Sequence, residues 1–185
     1  FLIKGSCKLR RVVVSGIGAV TPLGGNIKTT WENLIENKSG ANLISKFDTS
    51  NFQTKISCEV PIKDNQNSSE NTFDPNKWFS SKDLRKIDDF IIFGVAAAEM
   101  ALEDSLLKNH NFDPNKVGVG VGSGVGGLPS IEQASLTLHE KGPKRVSPFF
   151  IPGALINLVA GQISIRNNFK GPNLASVTAC SSGTH

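Results

Sequence analysis

Apolar positions along this chain fall into short runs with two different periods. "RRVVVSGIGAVTPLG" opens with an unbroken run, Val12 to Val14, that breaks into glycines, the pattern of a buried strand entering a turn. "KTTWENLIENKSG" then sets Trp31, Leu34 and Ile35 at helical spacing, with Gly40 placed to close the helix. "FDTSNFQTKISCEV" reads as a short extended piece, and the Asn- and Ser-rich, unpatterned residues 62–77 read as a surface insertion. The clearest helix lies in "DDFIIFGVAAAEMALEDSLL", where Phe90, Phe93, Ala97, Met100 and Ala101 recur at helical spacing among alanines.

A strand in "KVGVGVGSG" comes next, then a helix in "LPSIEQASLTLHEKG" with Pro129 in its first turn. "PFFIPGALINLVAGQISIRNNF" predicts a helix apolar nearly all round from about Gly153, and Leu174 to Val177 form a last strand. Strands alternating with helices predict an α/β layered domain with a largely parallel sheet over 1–185, with no linker dividing it. Its longest apolar stretch is interrupted by Pro152, Asn157, Gln162 and two glycines, so no membrane span is expected.

With 38% apolar and 19% charged residues, the chain belongs with globular proteins. A net charge of +4 raises nucleic acid as a partner, but the lysines and arginines are dispersed and not interleaved with aromatics. A basic patch for an acidic protein fits as well. Cys7, Cys58 and Cys180 are odd in number and widely spaced, which argues against a disulfide framework or a zinc site and for a reducing compartment. The opening "FLIKGSCKLRR" is too short for a complete secretory signal and reads as a trimmed start.

Two stretches carry candidate chemistry. "GSGVGG" fits a dinucleotide fingerprint through Gly122, Gly124 and Gly127, between a strand and a helix. It lacks a second strand and an acid for a ribose about 20 residues on, so close backbone approach to a neighbour is the competing reading. In "LASVTACSSGTH", Cys180 falls where a strand turns into a helix, with backbone N–H groups beside its sulfur. That favours a thiolate and offers donors to an oxyanion, although a cysteine among small residues is also often a small buried hydrophobe. His110 and His139 lie in polar surroundings, and His185 sits five residues past Cys180, so none is placed as its acid or base.

Taken together, "RRVVVSGIGAVTPLG", "GVGSGVGGL", "KRVSPFFIPGALINLVAGQISI" and "GPNLASVTACSSGTH" resemble, in order and spacing, β-ketoacyl-acyl-carrier-protein synthases of the elongating type II class. The resemblance covers nearly the whole chain and is weakest over the insertion. It implies a thiolase-like α/β fold of two similar halves, of which this chain is the first. The family's catalytic histidines, lysine, gating phenylalanine and second oxyanion N–H belong to the other half, beyond His185.

By this resemblance Cys180 is the acylated nucleophile, its own backbone N–H helping to hold the oxyanion. Val125 and Phe150 match positions lining the acyl tunnel, Phe150 across a homodimer interface. Lys82, Arg85, Lys86, Lys144 and Arg145 match positions that dock the acidic acyl carrier protein. The implied reaction is a decarboxylative condensation in fatty acid elongation, with no metal or organic cofactor, no nucleic acid and no membrane. It would run in a bacterial cytoplasm or a eukaryotic plastid. A polyketide-type ketosynthase, which shares this chemistry, and a nucleotide-binding module built on Gly122 to Gly127 are the alternatives.

Overall fold

The computed structural model describes residues 11–64 and 69–185; Cys7, the chain start and the middle of the predicted insertion lie outside them. The core forms where two helices cross. Helix α3 (Asp89–Asp104) buries Ile91, Ile92, Val95 and Ala96, while Phe90, Phe93, Ala97 and Met100 of the predicted stripe flank that face half-buried. Helix α6 (Asn157–Asn167) supplies Val159, Ala160 and Ile163. Gly94 permits the crossing, because a β-carbon there would lie 2.8 Å from Val159 Cγ1.

Strand β3 (Val119–Gly122) pairs in parallel with β4 (Asn173–Ser176), from Val119 opposite Asn173 to Gly122 opposite Ser176. Between them in sequence runs α4 (Leu128–Lys141), with its proline in the first turn as expected. The apolar stretch after it, predicted as one helix, is two. The short α5 (Phe150–Ala154) ends at an extended Leu155 before α6 begins. The Ala154 carbonyl accepts the Gly127 N–H at 3.0 Å, a bond to the glycine loop made where the helix breaks. Asn173 Nδ2 ties the start of β4 to α6 through the Ala160 carbonyl at 2.9 Å and Ser164 Oγ at 2.6 Å.

The N-terminal part departs further from expectation. Val12, Val13 and Val14 are 93%, 71% and 80% exposed and form no strand; no described backbone runs beside them to complete a ladder, and valine content alone does not make one. Gly16 and Gly18 instead lie against the last turns of α3, where Asp104 Oδ2 accepts the Ile17 N–H at 2.8 Å. Helix α1 (Ile27–Ile35) is capped by the Asn26 side chain, which accepts from Thr29 N at 2.9 Å. Its apolar stripe faces outward, and the left-handed residue after it is Asn37, while Gly40 packs on Pro22.

Strand β2 (Ile56–Cys58) falls within the expected extended segment, and it pairs antiparallel with β1 (Ala41–Leu43), which lies before that segment and was not expected. Residues 62–77 are not purely a surface excursion. Phe73 is 1% exposed, stacks edge-on to Phe93 at 5.4 Å, and exchanges backbone bonds with Pro61 and Lys63. It is the one large apolar side chain between Ile62 and Trp78, which is why periodicity did not reveal it. The helix α2 (Ser81–Leu84) then leads into α3. Among the described residues no helix is long and apolar enough to cross a membrane.

Candidate active site

After β4 the chain turns sharply at Ala179, whose φ of 50° is left-handed, and then presents Cys180 as a free, exposed thiol. The predicted helix start appears as a short 3-10 turn, Ser182–Thr184. Hydrogen bonds close the turn: Ser181 N to the Thr178 carbonyl at 3.2 Å, Ser182 N to the Ala179 carbonyl at 3.1 Å, and Thr184 N to the Ser181 carbonyl at 3.0 Å. His185 returns over it, its Nε2 lying 2.9 Å from Thr178 Oγ1. His110 and His139 are exposed.

The glycine loop faces this turn. A β-carbon on Gly122 would overlap the Ser182 carbonyl, and one on Gly124 would lie 3.5 Å from the Ala179 carbonyl oxygen. Val125, next along, is 63% exposed. At the far end of the loop, Gly127 gives its N–H to Ala154, and a β-carbon there would come within 3.1 Å of Asp88 Oδ2. Asp88 precedes α3 in extended conformation, yet its carboxylate leaves that helix uncapped and reaches across to α4. There Oδ2 accepts from Ser130 N at 3.0 Å and from Ser130 Oγ at 2.6 Å. The place where a pyrophosphate would meet the helix N-terminus is thus filled by a buried carboxylate, which overturns the nucleotide-binding reading of Gly122 to Gly127.

A cavity of about 510 Å³ opens beside this carboxylate, and Arg85, Lys86, Arg145, Phe149 and Phe150 help to line it. The structure thus brings three of the five predicted docking residues together with Phe150. Lys82, Arg85, Lys144 and Arg145 are exposed and make no ion pair among the described residues. Lys86 is engaged internally, 3.1 Å from Asp83 Oδ1 and over the Phe149 ring. The hydrogen bond from Ser80, followed by that from Lys86, holds the Asp83 carboxyl below the usual carboxylate range.

Sequence reasoning missed Ser182, Asp88 and Ser130. The last two sit 42 positions apart, and no local pattern links them.

The fold class is an α/β, thiolase-like half whose last parallel strand runs into a left-handed turn carrying an exposed cysteine. The chain belongs to the β-ketoacyl synthase family: residues 9–185 match its "Beta-ketoacyl synthase, N-terminal domain". It is 46% identical over 178 residues to 3-oxoacyl-[acyl-carrier-protein] synthase 2 of Rhizobium meliloti (strain 1021), covering 96% of this chain and 42% of that protein. It is 43% identical over 176 residues to the protein of that name from Coxiella burnetii, covering 95% and 40%.

Among solved structures, a β-ketoacyl synthase from Burkholderia phymatum shares the fold with a TM-score of 0.74 at 22% identity, over 95% of this chain and 41% of that one. A type II polyketide ketosynthase, solved in complex with its acyl-carrier protein and bound to the hexaketide, matches with a TM-score of 0.66 at 27% identity, over 95% and 44%. The chain spans about two fifths of the length of the curated relatives it matches.

Proposed function

We propose that this chain is the nucleophile-bearing half of an elongating β-ketoacyl-acyl-carrier-protein synthase. The observation that carries the reading is Cys180, an exposed thiol held at a left-handed turn after a parallel strand in a member of this family. Its thiolate attacks the thioester carbonyl of an acyl group on the phosphopantetheine arm of a carrier protein. The carrier thiol leaves, and the acyl group remains on the Cys180 sulfur. The Cys180 N–H, in the same turn as the sulfur, helps to hold the oxyanion.

A malonyl carrier protein then loses CO2, and the carbanion left behind attacks the acyl-cysteine. Carbon–carbon bond formation expels the Cys180 thiolate and yields a β-ketoacyl carrier protein two carbons longer. The groups that promote decarboxylation belong to the second half of such proteins, and no residue of this chain takes those roles. The chemistry draws on no metal and no organic cofactor beyond the carrier's own phosphopantetheine. The assembly is a homodimer, and the compartment is a bacterial cytoplasm or a plastid. A polyketide-type role is less favoured, because the relatives at 43–46% identity carry the elongating synthase's name.

Val125, beside the nucleophile turn, and Phe150 line the acyl tunnel in this reading. Lys82, Arg85, Lys86, Lys144 and Arg145 form the patch that steers the acidic carrier protein, a reading supported by the exposure of Lys82, Arg85, Lys144 and Arg145, which have no ion pair among the described residues. Incubating the full-length protein with a carrier protein bearing a medium-length acyl chain, followed by peptide mass analysis, tests the reading. An acyl mass on the Cys180 peptide, absent from the Cys7 and Cys58 peptides and removed by hydroxylamine, is the expected result. A folded protein that acquires no acyl group on Cys180 would overturn it.

A further inference from the structure

Ser182 is 5% exposed, although Cys180, Ser181 and Gly183 around it are all exposed. Its single hydroxyl is used in both directions. Oγ accepts the Thr178 N–H at 2.9 Å and donates to the Ala179 carbonyl at 2.7 Å. Those two groups bracket Ala179, the residue held at a φ that an L-side chain disfavours.

The Ser182 backbone adds to the grip. Its N–H also meets the Ala179 carbonyl, and Ser176 Oγ donates to the Ser182 carbonyl at 3.4 Å. That carbonyl lies over Gly122, where any β-carbon would displace it. The ends of both β3 and β4 therefore seat this one residue. Ser181 is a poor rival, since among the described residues its exposed hydroxyl bonds only to Thr178.

We infer that Ser182 is the positioning residue of the nucleophile turn, its buried hydroxyl clamping Thr178 to Ala179 so that the left-handed residue aims Cys180 at the incoming thioester. The inference rests on Cys180 being the nucleophile. Ser182 touches no reacting atom; it acts through the backbone on either side of Ala179. Removing its hydroxyl leaves the thiol in place but frees the turn to relax towards a right-handed conformation.

The test uses the full-length protein with Ser182→Ala and Ser182→Thr, the second keeping the hydroxyl. In single-turnover acylation of Cys180, Ser182→Ala should lower the acylation rate at saturating carrier by about tenfold, as expected for two lost hydrogen bonds at a site that needs close alignment. The carrier concentration giving half-maximal rate should stay unchanged, and Ser182→Thr should recover most of the loss. A fall in global stability alone would move neither the rate nor its rescue in this way. In the unmodified protein the Thr178 amide should exchange slowly with solvent. A folded Ser182→Ala variant acylated at the wild-type rate, or a Thr178 amide exchanging as a free one, overturns the clamp. If Ser182→Ala does not fold, the Thr178 exchange rate decides. If the unmodified protein is never acylated, the nucleophile assignment fails, and slow or fast exchange still decides whether Ser182 clamps the turn.

Discussion

Replacing Asp88 with alanine asks whether one internal carboxylate holds the glycine loop and α4 against the core. Asp88 is 8% exposed, and its Oδ2 accepts two hydrogen bonds from Ser130, at 3.0 and 2.6 Å. Hydrogen bonds to a charged group contribute about 1.5–3 kcal/mol each, and the loss also strands the Ser130 donors at a part-buried place. Both donors belong to one residue, so the two losses do not add in full, and a total of about 2–4 kcal/mol follows. Asp88→Asn keeps an oxygen acceptor without the charge and should cost about half as much. Chemical denaturation of the full-length protein at constant pH and salt measures both. Ser130→Ala combined with Asp88→Ala should cost less than the two separately, by about 1–3 kcal/mol. A destabilisation below about 0.5 kcal/mol for Asp88→Ala would refute the reasoning, since that is the ordinary range for a surface change.

If Val125 lines an acyl tunnel as proposed, Val125→Phe places a ring beside the Cys180 turn and should reduce acceptance of the longest acyl chains about tenfold, with shorter products by mass analysis; unchanged product lengths would refute that placement. Reversing Lys144 and Arg145 to Glu should weaken association with the carrier protein about tenfold at low salt and flatten its salt dependence, read by surface binding at several ionic strengths. Asp83 has a folded-state pKa below its unfolded value of about 4, so its contribution to stability is present above that pH and is lost as pH falls through the folded value. Asp83→Asn should therefore be less stable than the parent near neutrality and match it in strong acid; a gap that persisted unchanged in strong acid would contradict the assignment.

How much of this was visible beforehand depended on the range of the interactions. The α3 helix was visible because its determinants are local: a dense run of helix formers with apolar side chains. Its buried face was less so. Apolar residues surround the helix, and only the crossing with α6 at Gly94 selects Ile91, Ile92, Val95 and Ala96. Val12 to Val14 misled for the related reason that a strand is a property of a pair, and a valine run carries no information about its partner. Phe73 escaped because a single buried anchor in a polar segment has no period. At the site, Cys180 and its small neighbours could be read in order along the chain, whereas the Asp88 to Ser130 bond joins residues that only the fold brings together.

The glycines of "GSGVGG" and the small residues around Cys180 turn out to be two sides of one contact. A side chain presented on a left-handed turn needs its backbone seated on a firm support, and β3 supplies that support only if its last residue has no side chain. Gly122 meets that need under the Ser182 carbonyl, and Gly124 runs past Ala179. A phosphate-binding loop uses glycines for the same physical reason, close approach to backbone, but there the approaching group is an anion. Spacing alone cannot separate the two cases, because both place glycines between a strand and a helix. What separates them is the occupant of the helix N-terminus. In this chain the first turn of α4 gives both the amide and the hydroxyl of Ser130 to Asp88, so an incoming phosphate would meet a buried negative charge in place of free N–H donors. The same carboxylate that excludes a nucleotide fixes the far end of the loop whose near end supports the Cys180 turn.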